Sequence, residues 1–441
     1  MKYYCIGIKG TGMSTLAQIL HDLGHEVSGY DDAVGYKFTQ KGLEERGIPI
    51  YYDQTHPIDK DTIVTYSVAF SENHKEMQRV KKLGLKIMKY NELMGNIINM
   101  FRTIGVSGTH GKTTTSSIIK HILEETIGCN YFIGAGDGFA SAKNDYFVVE
   151  SDEFNRHFTA YHPMYSVITN IEEEHMECYK DIEDIRNTFQ IFANQTARLV
   201  VLNGDNQEIR KLEINPKKIY FGFNFNNDAV IKNLKLTEDG SRFDLFINEE
   251  LYGSFEVPLY GKHMVLNTCA AILICREIEI PKEKIYEKLK TFKNAARRFA
   301  IEKINNTIII DDYAHHPSEI KAVLEACKQK YPNKRIVAVF KPNTYSRTKD
   351  FTEDFISALK TADRVLLTEI DCNRERPEDY PGITSHIITD KIEGAEIIDE
   401  DHIDLLDNEE DSVICFMSCA YVDKLINKLK ERRLEQAKKD E

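Results

Sequence analysis

No apolar run in this 441-residue sequence approaches the roughly 18–20 residues that a membrane-spanning helix needs. No membrane insertion is therefore expected. A basic surplus is missing too: 57 Lys and Arg against 70 Asp and Glu give a formal net charge of −13. Proteins that grip nucleic acid usually carry the opposite balance, so no nucleic-acid partner is expected, although a local basic pocket for a small anion stays open. The nine cysteines are an odd number and include no C-x-x-C pair. They read as reduced thiols of a cytoplasmic protein, not as a disulfide framework. Cys415 and Cys419 are close in sequence but have no histidine or cysteine neighbours to complete a metal site. The opening MKYYCIGIKG lacks the charged, apolar and small-residue order of a signal peptide. Low-complexity tracts and repeats of solenoid period are absent as well. What is there is ordinary globular composition, 42% hydrophobic and 29% charged, on a chain long enough for two to four domains.

Strand, glycine turn and helix alternate along the chain, the signature of a doubly wound parallel α/β sheet. Residues 3–8 predict a strand. Gly7, Gly10 and Gly12 follow, then a helical pattern through Leu16, Ile19, Leu20 and Leu23. Further strands are expected at 26–29, 62–66 and 85–88, and a domain boundary near 100. A second series runs through 102–106, 146–150, 165–170 and 199–202. Alternation over 229–257, with Glu238-Asp239-Gly240 as turn residues, predicts antiparallel hairpins. Helices are expected at 263–277 and 282–291, a charged linker at 294–303, and a third βα series with strands at 307–311, 335–340, 363–367 and 413–417. A last helix is expected over 422–437. The fold class is thus α/β with three domains. These are a Rossmann-like domain over 1–100, a phosphate-loop domain with a hairpin region over 101–294, and a second Rossmann-like domain over 295–441.

The most specific motif is GVSGTHGKTTT at 105–115, a strand, a glycine-rich turn and Lys-Thr at a helix start. Backbone N–H groups of Gly108, Thr109, His110 and Gly111 would form an anion cradle with the helix N-terminus, extended by Thr114. Lys112 supplies a charge for the β- and γ-phosphates, and the Thr113 hydroxyl is placed for Mg²⁺. The glycine usually found five residues before Gly111 is Val106 here, and Gly108 stands instead three before it. A looser glycine loop, Gly7 to Met13, is interrupted by Lys9. Gly10, Thr11, Gly12 and Met13 could cradle a diphosphate, and Asp31 or Asp32 would suit a ribose or a uracil edge.

Two acid-and-histidine clusters follow strands of the middle region, where open α/β sheets place ligands. One holds Glu150, Asp152 and Glu153, the other Asn170, Glu172 and His175. Carboxylate plus imidazole beside a phosphate loop suits a second divalent ion bridging the γ-phosphate and its acceptor. In the last region Asp312, Tyr313 and His315 form a polar tip at a strand end, and Arg347 is available for a bidentate grip on a carboxylate or phosphate.

These segments resemble the Mur ligase family nearly end to end. GIKGTGMSTLA at 7–17 is like the family's N-terminal glycine loop, and GVSGTHGKTTT like its ATP loop. VESDE at 149–153, TNIEEEHM at 169–176, GKHMVLN at 261–267, Arg297-Arg298-Phe299 and 311–317 are similar to later family elements. The resemblance implies an ATP-dependent amide ligase that joins L-alanine to the lactyl carboxylate of UDP-N-acetylmuramate through an acyl phosphate. The first domain would hold the UDP sugar at Gly10, Thr11, Gly12, Met13 and Asp31. The second would hold ATP and two Mg²⁺ ions, with Lys112, Thr113, Glu150 and His175 as catalytic and metal groups and Glu153 as the substitute for Glu150. Asn267, with His263 as a further possibility, would face adenine. Arg298, Asp312 and Tyr313 would line the ATP cleft, and Arg347 would serve the reaction from the third domain. A monomer or weak homo-oligomer is expected.

The departures all lie in the third domain: Lys341-Pro342-Asn343 where the family typically has Gln-Pro-His, an altered segment at 370–375, and Met417-Ser-Cys-Ala420 in place of a Gly-Ala-Gly turn. They leave open a relative that adds a preformed peptide or a different amino acid, or an amide ligase with a substrate other than a UDP sugar. A silent nucleotide-binding regulator is countered by the intact Lys112, Thr113, Glu150 and His175. A nicotinamide dehydrogenase is countered by the Gly-Lys-Thr loop, which it would not need.

Overall fold

The structure, a computed structural model, describes residues 1–134, 136–372 and 375–440, without the side chains of 437–440. Asn373 and Arg374 of the altered 370–375 segment lie outside the described residues. Three sheets with interleaved helices give a three-domain α/β architecture. The first sheet contains β1 (Lys2–Ile6), β2 (Glu26–Tyr30), β3 (Ile50–Tyr51), β4 (Thr62–Tyr66) and β5 (Lys86–Lys89). Its order is β3-β2-β1-β4-β5 and every pairing is parallel. The order reverses between β1 and β4, the switch point at which such sheets take ligands. The glycine loop leaves the carboxyl end of β1 there and enters the helix Thr11–Asp22.

The second sheet contains β6 (Arg102–Ser107), β7 (Asn130–Ile133), β8 (Asp137–Phe139), β9 (Tyr146–Glu150), β10 (Tyr165–Ile168), β11 (Leu199–Asn203), β12 (Lys217–Gly222), β13 (Ala229–Thr237), β14 (Gly240–Ile247) and β15 (Glu250–Val257). The order is β15-β14-β13-β12-β11-β10-β6-β9-β7-β8. β6 is flanked by β9 and β10, both parallel to it. The phosphate loop at the end of β6 therefore sits between the two strand ends that carry the acid clusters. Val106, Val148, Val149, Val167 and Ile168 are fully buried. Such uninterrupted apolar runs suit parallel strands covered on both faces.

The third sheet contains β16 (Ala300–Ile304), β17 (Thr307–Asp312), β18 (Arg335–Phe340), β19 (Arg364–Leu367), β20 (Glu396–Ile397) and β21 (Ser412–Met417), in the order β16-β17-β21-β18-β19-β20. The linker expected at 294–303 is corrected: Ala300 to Ile304 pair antiparallel with β17. The strand is short, charged and exposed at the sheet edge, so its apolar signal is weak. β3, β7, β8, β12 and β20 are likewise strands beyond those read from the sequence. The last helix runs Asp423–Asp440.

By contacts the chain forms two compact units. One comprises 1–233, 243–255 and 266–292; the other comprises 234–242, 256–265 and 293–441. Within the first, the helix Thr11–Asp22 packs on β8, and one apolar cluster runs from Leu16, Ile19 and Leu20 to Phe132, Phe147 and Phe192. Each such side chain, fully buried, contributes about 1.5–3 kcal/mol. The first two sheets thus share a core. The second unit has apolar clusters on the two faces of its sheet, around Ile310 and Phe340 and around Val339 and Phe416.

Candidate active site

The phosphate loop is built by glycine geometry and cross-strand lacing. Gly108 has φ +138° and Gly111 φ +85°, backbone that L side chains rarely adopt. A Cβ on Gly108 would lie 2.0 Å from Thr169 Oγ1, and one on Gly111 would lie 2.6 Å from Asn267 Oδ1. Asn170 binds the loop twice: its Oδ1 accepts from His110 N at 2.8 Å and its Nδ2 donates to His110 O at 3.0 Å. Thr109 Oγ1 accepts from Glu172 N at 2.9 Å. The loop is therefore preformed, with Lys112 at the start of the helix Lys112–Glu124.

Lys112 folds back over this loop. Its Nζ donates to Gly108 O at 2.6 Å, to Thr109 O at 3.1 Å and to Glu153 Oε1 at 2.9 Å. Burial works against the ammonium charge, but Glu153, Asp152 and Glu150 outweigh it and hold Lys112 above its ordinary pKa. Glu153 is buried, and burial raises its carboxyl against the pull of Lys112. The lysine is thus charged and sheltered.

The acid groups divide in two. Glu150 Oε1 accepts from Thr113 Oγ1 at 3.1 Å, and its Oε2 accepts from Gly134 N at 2.8 Å. Asp152, Glu153 and His175 offer ligand atoms all within 4.8 Å of one another. Glu153 Oε2 is buried and has no hydrogen-bond partner among the described residues. The sequence reading put His175 with Glu150. The structure brings His175 to Glu153 and Asp152, and Glu150 to Thr113. Burial works against a charge on His175, but Glu177, Glu153, Glu174 and Asp152 outweigh it and raise its pKa. A hydroxyl with one carboxylate, beside a carboxylate pair with an imidazole and an orphaned oxygen, is a donor set that fits hard divalent cations.

The first glycine loop and Lys112 face one cavity of about 330 Å³. Gly10, Thr11, Gly12 and Met13 line it on one side, and Lys112, Glu150 and Asp152 on another. Tyr90, Phe132, Gly134, His157 and Tyr161 also line it and carry no signal in the sequence. Tyr90 starts the helix Tyr90–Ile98, and a Cβ on Gly12 would lie 2.9 Å from its hydroxyl. His157 follows Asn155 and Arg156, both left-handed at φ 49° and 57°. That kink is held by Phe158, stacked on Phe192 at 4.8 Å and edge-on to Phe189 at 5.2 Å. No periodicity announces such a turn. Ser67 and Val68 also line the cavity and follow the end of β4, where the strand-end rule could have found them.

Asp31 is buried, with Oδ2 accepting from Lys9 N at 2.9 Å and Oδ1 from Ala33 N at 3.0 Å. The neighbouring Asp32 is the exposed carboxylate, accepting from Tyr30 Oη at 2.6 Å. In the second unit Asp312 is buried, its two oxygens accepting from Phe299 N at 2.7 Å and Ala314 N at 2.8 Å. Burial pushes its carboxyl up to about 6, against the pull of Arg298. The Arg298 guanidinium lies 4.8 Å from the Tyr313 ring centre. Burial pushes His263 down to about 4; Glu319 opposes that shift and Arg298 adds to it. Arg347 Nη1 donates to Asn343 Oδ1 at 2.9 Å, so the altered residue 343 is a partner of Arg347. His315 Nδ1 lies 3.1 Å from Glu319 Oε2.

Comparison with known proteins gives one consistent result. The Mur ligase family catalytic domain model matches 2–102, the Mur ligase middle domain 106–275, and the Mur ligase glutamate ligase domain 297–418. Among solved structures, UDP-N-acetylmuramate–alanine ligase of Thermotoga maritima is 23% identical at a TM-score of 0.81, over 100% of both chains. A murein peptide ligase of Psychrobacter arcticus is 20% identical at 0.68, over 98% of this chain and 99% of that one. The MurF ligase of Thermotoga maritima, solved with ADP, is 17% identical at 0.65, over 93% and 95%. At these identities the solved structures speak for the fold, and the three domain models in succession speak for the family. The chain belongs to the Mur ligase family of ATP-dependent ligases, which act in peptidoglycan synthesis on UDP-muramoyl substrates.

Proposed function

We propose that the chain joins L-alanine to the lactyl carboxylate of UDP-N-acetylmuramate at the expense of ATP, in the cytoplasm. The observation that carries this reading is the single cavity lined by both the N-terminal glycine loop and Lys112. A sugar nucleotide seated on Gly10 to Met13 would bring its far end toward the phosphate loop. In this reading residues 1–100 hold the UDP sugar, 101–294 hold ATP, and 295–441 serve the amino acid.

A carboxylate and an amine do not condense at neutral pH because oxide is a poor leaving group. Transfer of the γ-phosphoryl group to the lactyl carboxylate gives an acyl phosphate, and attack by the amine then releases phosphate. Lys112 holds positive charge where the carboxylate and phosphates must meet. Gly108, Gly111 and Thr114 would present the anion cradle, while the N–H groups of Thr109 and His110, expected to join it, are engaged by Asn170. Asn267 stands beside the Gly111 turn and would face adenine. Thr113 with Glu150, and Glu153 and Asp152 with His175, would hold two Mg²⁺ ions, which when bound neutralise phosphate charge. The family resemblance would give Arg298, Asp312 and Tyr313 a nucleotide-binding role, and Arg347, bonded to Asn343, the role of orienting a carboxylate.

The test is ADP formation by purified protein against a matrix of UDP sugars and amino acids. L-alanine with UDP-N-acetylmuramate is expected to dominate. Glycine and L-serine are weaker competitors, since one methyl group discriminates by only about 1–3 kcal/mol. Strong preference for a peptide or a large amino acid would reject the alanine assignment. That second reading is left open by Asn343, which stands where the family typically has histidine and can orient a substrate but cannot take a proton.

A further inference from the structure

Lys9 interrupts the first glycine loop, and the ligase reading gives it no role. Its side chain is only 1% exposed. A buried ammonium is costly unless its donors are all engaged. Here they reach Ala33 O at 2.6 Å, Gly35 O at 2.7 Å and Tyr52 Oη at 3.4 Å. Among the described residues no carboxylate pairs with it. The backbone of Lys9 is tied to the same stretch of chain: its N–H donates to Asp31 at 2.9 Å, and its carbonyl accepts from Thr39 Oγ1 at 2.7 Å. Asp31 in turn accepts from Ala33 N. One residue of the glycine loop thus knots residues 31–39 from both ends. That segment carries Val34 and Tyr36, 74% and 66% exposed, large apolar groups left in water immediately after β2. In sheets of this order the glycine loop takes the diphosphate and the end of the second strand takes the nucleoside.

We propose that Lys9 is a positioning residue for the sugar nucleotide: its ammonium fixes residues 33–39 beside the glycine loop, so that Val34 and Tyr36 stand ready as an apolar wall for the nucleoside half of a nucleoside diphosphate. This rests on the UDP-sugar reading above. Holding the wall in place before binding spares the ordering cost at the moment of binding. The effect therefore belongs to one ligand only, since ATP is held by the loop at 105–115.

The experiment is calorimetric titration of the full chain with UDP-N-acetylmuramate and, separately, with ADP. Lys9→Met is expected to weaken the UDP-sugar Kd by about tenfold or more, the worth of charge-assisted hydrogen bonds, and to change the ADP Kd by less than about twofold. Tyr36→Ala weakens the same Kd, and adding it to Lys9→Met brings little further loss, because the wall is already displaced. Equal loss of both ligands, or an unchanged UDP-sugar Kd, overturns the proposal. If circular dichroism shows Lys9→Met unfolded, Thr39→Val loosens the same knot, and the same selective loss is expected at about threefold or more. Chymotrypsin cleavage at Tyr36 and Phe38 gives a second readout. It is expected to be faster in either variant than in wild type, and an unchanged rate overturns the proposal. A wild-type protein that binds ADP but no UDP sugar would sink the substrate reading instead, leaving the cleavage rates to judge the anchor.

Discussion

At the scale of single residues, Lys112 carries two loads that substitution can separate. In the proposed reaction it stands opposite phosphate, and in the structure it is the partner of the buried Glu153. Lys112→Ala is expected to lower turnover by about 10²-fold or more. A lysine on an exposed loop would leave stability untouched, but here the change strands a buried carboxyl and costs roughly 2 kcal/mol, less than a rigid ion pair because Glu153 can take up a proton. Lys112→Met with Glu153→Gln should recover most of the stability and none of the turnover, as denaturant melts beside an ADP assay would show. His263 and Asp312 are pH-sensitive residues. The folded pKa of His263, about 4, lies below its ordinary 6.5, so the unfolded chain binds the extra proton between those values. Its stabilising effect is complete above about pH 6.5 and is lost as pH falls toward 4, by no more than about 3 kcal/mol. Asp312, raised to about 6, has the opposite sign: its contribution is present at low pH and fades as pH rises through 6. The two oppose each other in wild type. The wild-type minus His263→Gln difference in unfolding free energy is expected to be largest above pH 6.5 and to vanish below 4.

At the scale of elements, the ends of β9 and β10 flank β6 and deliver two separate acid groups. Glu150→Gln and His175→Ala are each expected to raise the Mg²⁺ concentration for half-maximal activity more than the KM for ATP. Because the two residues lie in different donor sets, their effects should add within about 0.5 kcal/mol. Strong non-additivity would mean one shared ion. The phosphate loop was readable because Gly-Lys-Thr has few uses apart from phosphate, and Glu150 because it closes an apolar strand. The division of the acids was not. Glu150 and Glu153 are three residues apart, and which one meets His175 depends on how the chain turns after β9. The left-handed pair Asn155 and Arg156 that aims His157 at the cavity leaves no periodic trace. Edge strand β16 hid for another reason: with four of its five residues exposed, Ala300 to Ile304 look like a linker.

At the scale of the whole molecule, the division into two compact units predicts two calorimetric transitions. UDP-N-acetylmuramate at a hundred times its Kd is expected to stabilise the first unit by about 2.7 kcal/mol and to leave the other transition in place. A single cooperative transition that moves as one would contradict this. The core shared by the first two sheets has a consequence for descent. Phe147 and Leu20 sit in one cluster, Arg46 of the first sheet's region donates to Gly138 O, and Gln18 donates to Gly136 O. On the proposed reading, the sugar-nucleotide and ATP sites are therefore inherited as one block, since a change in that cluster reaches both. Recombinants with a related ligase should fail when joined near residue 100. They should survive when the incoming piece is the entire second unit, including the detached stretches 234–242 and 256–265. On the proposed reading, amino-acid choice is then exchangeable between lineages while the pairing of sugar nucleotide with ATP stays fixed.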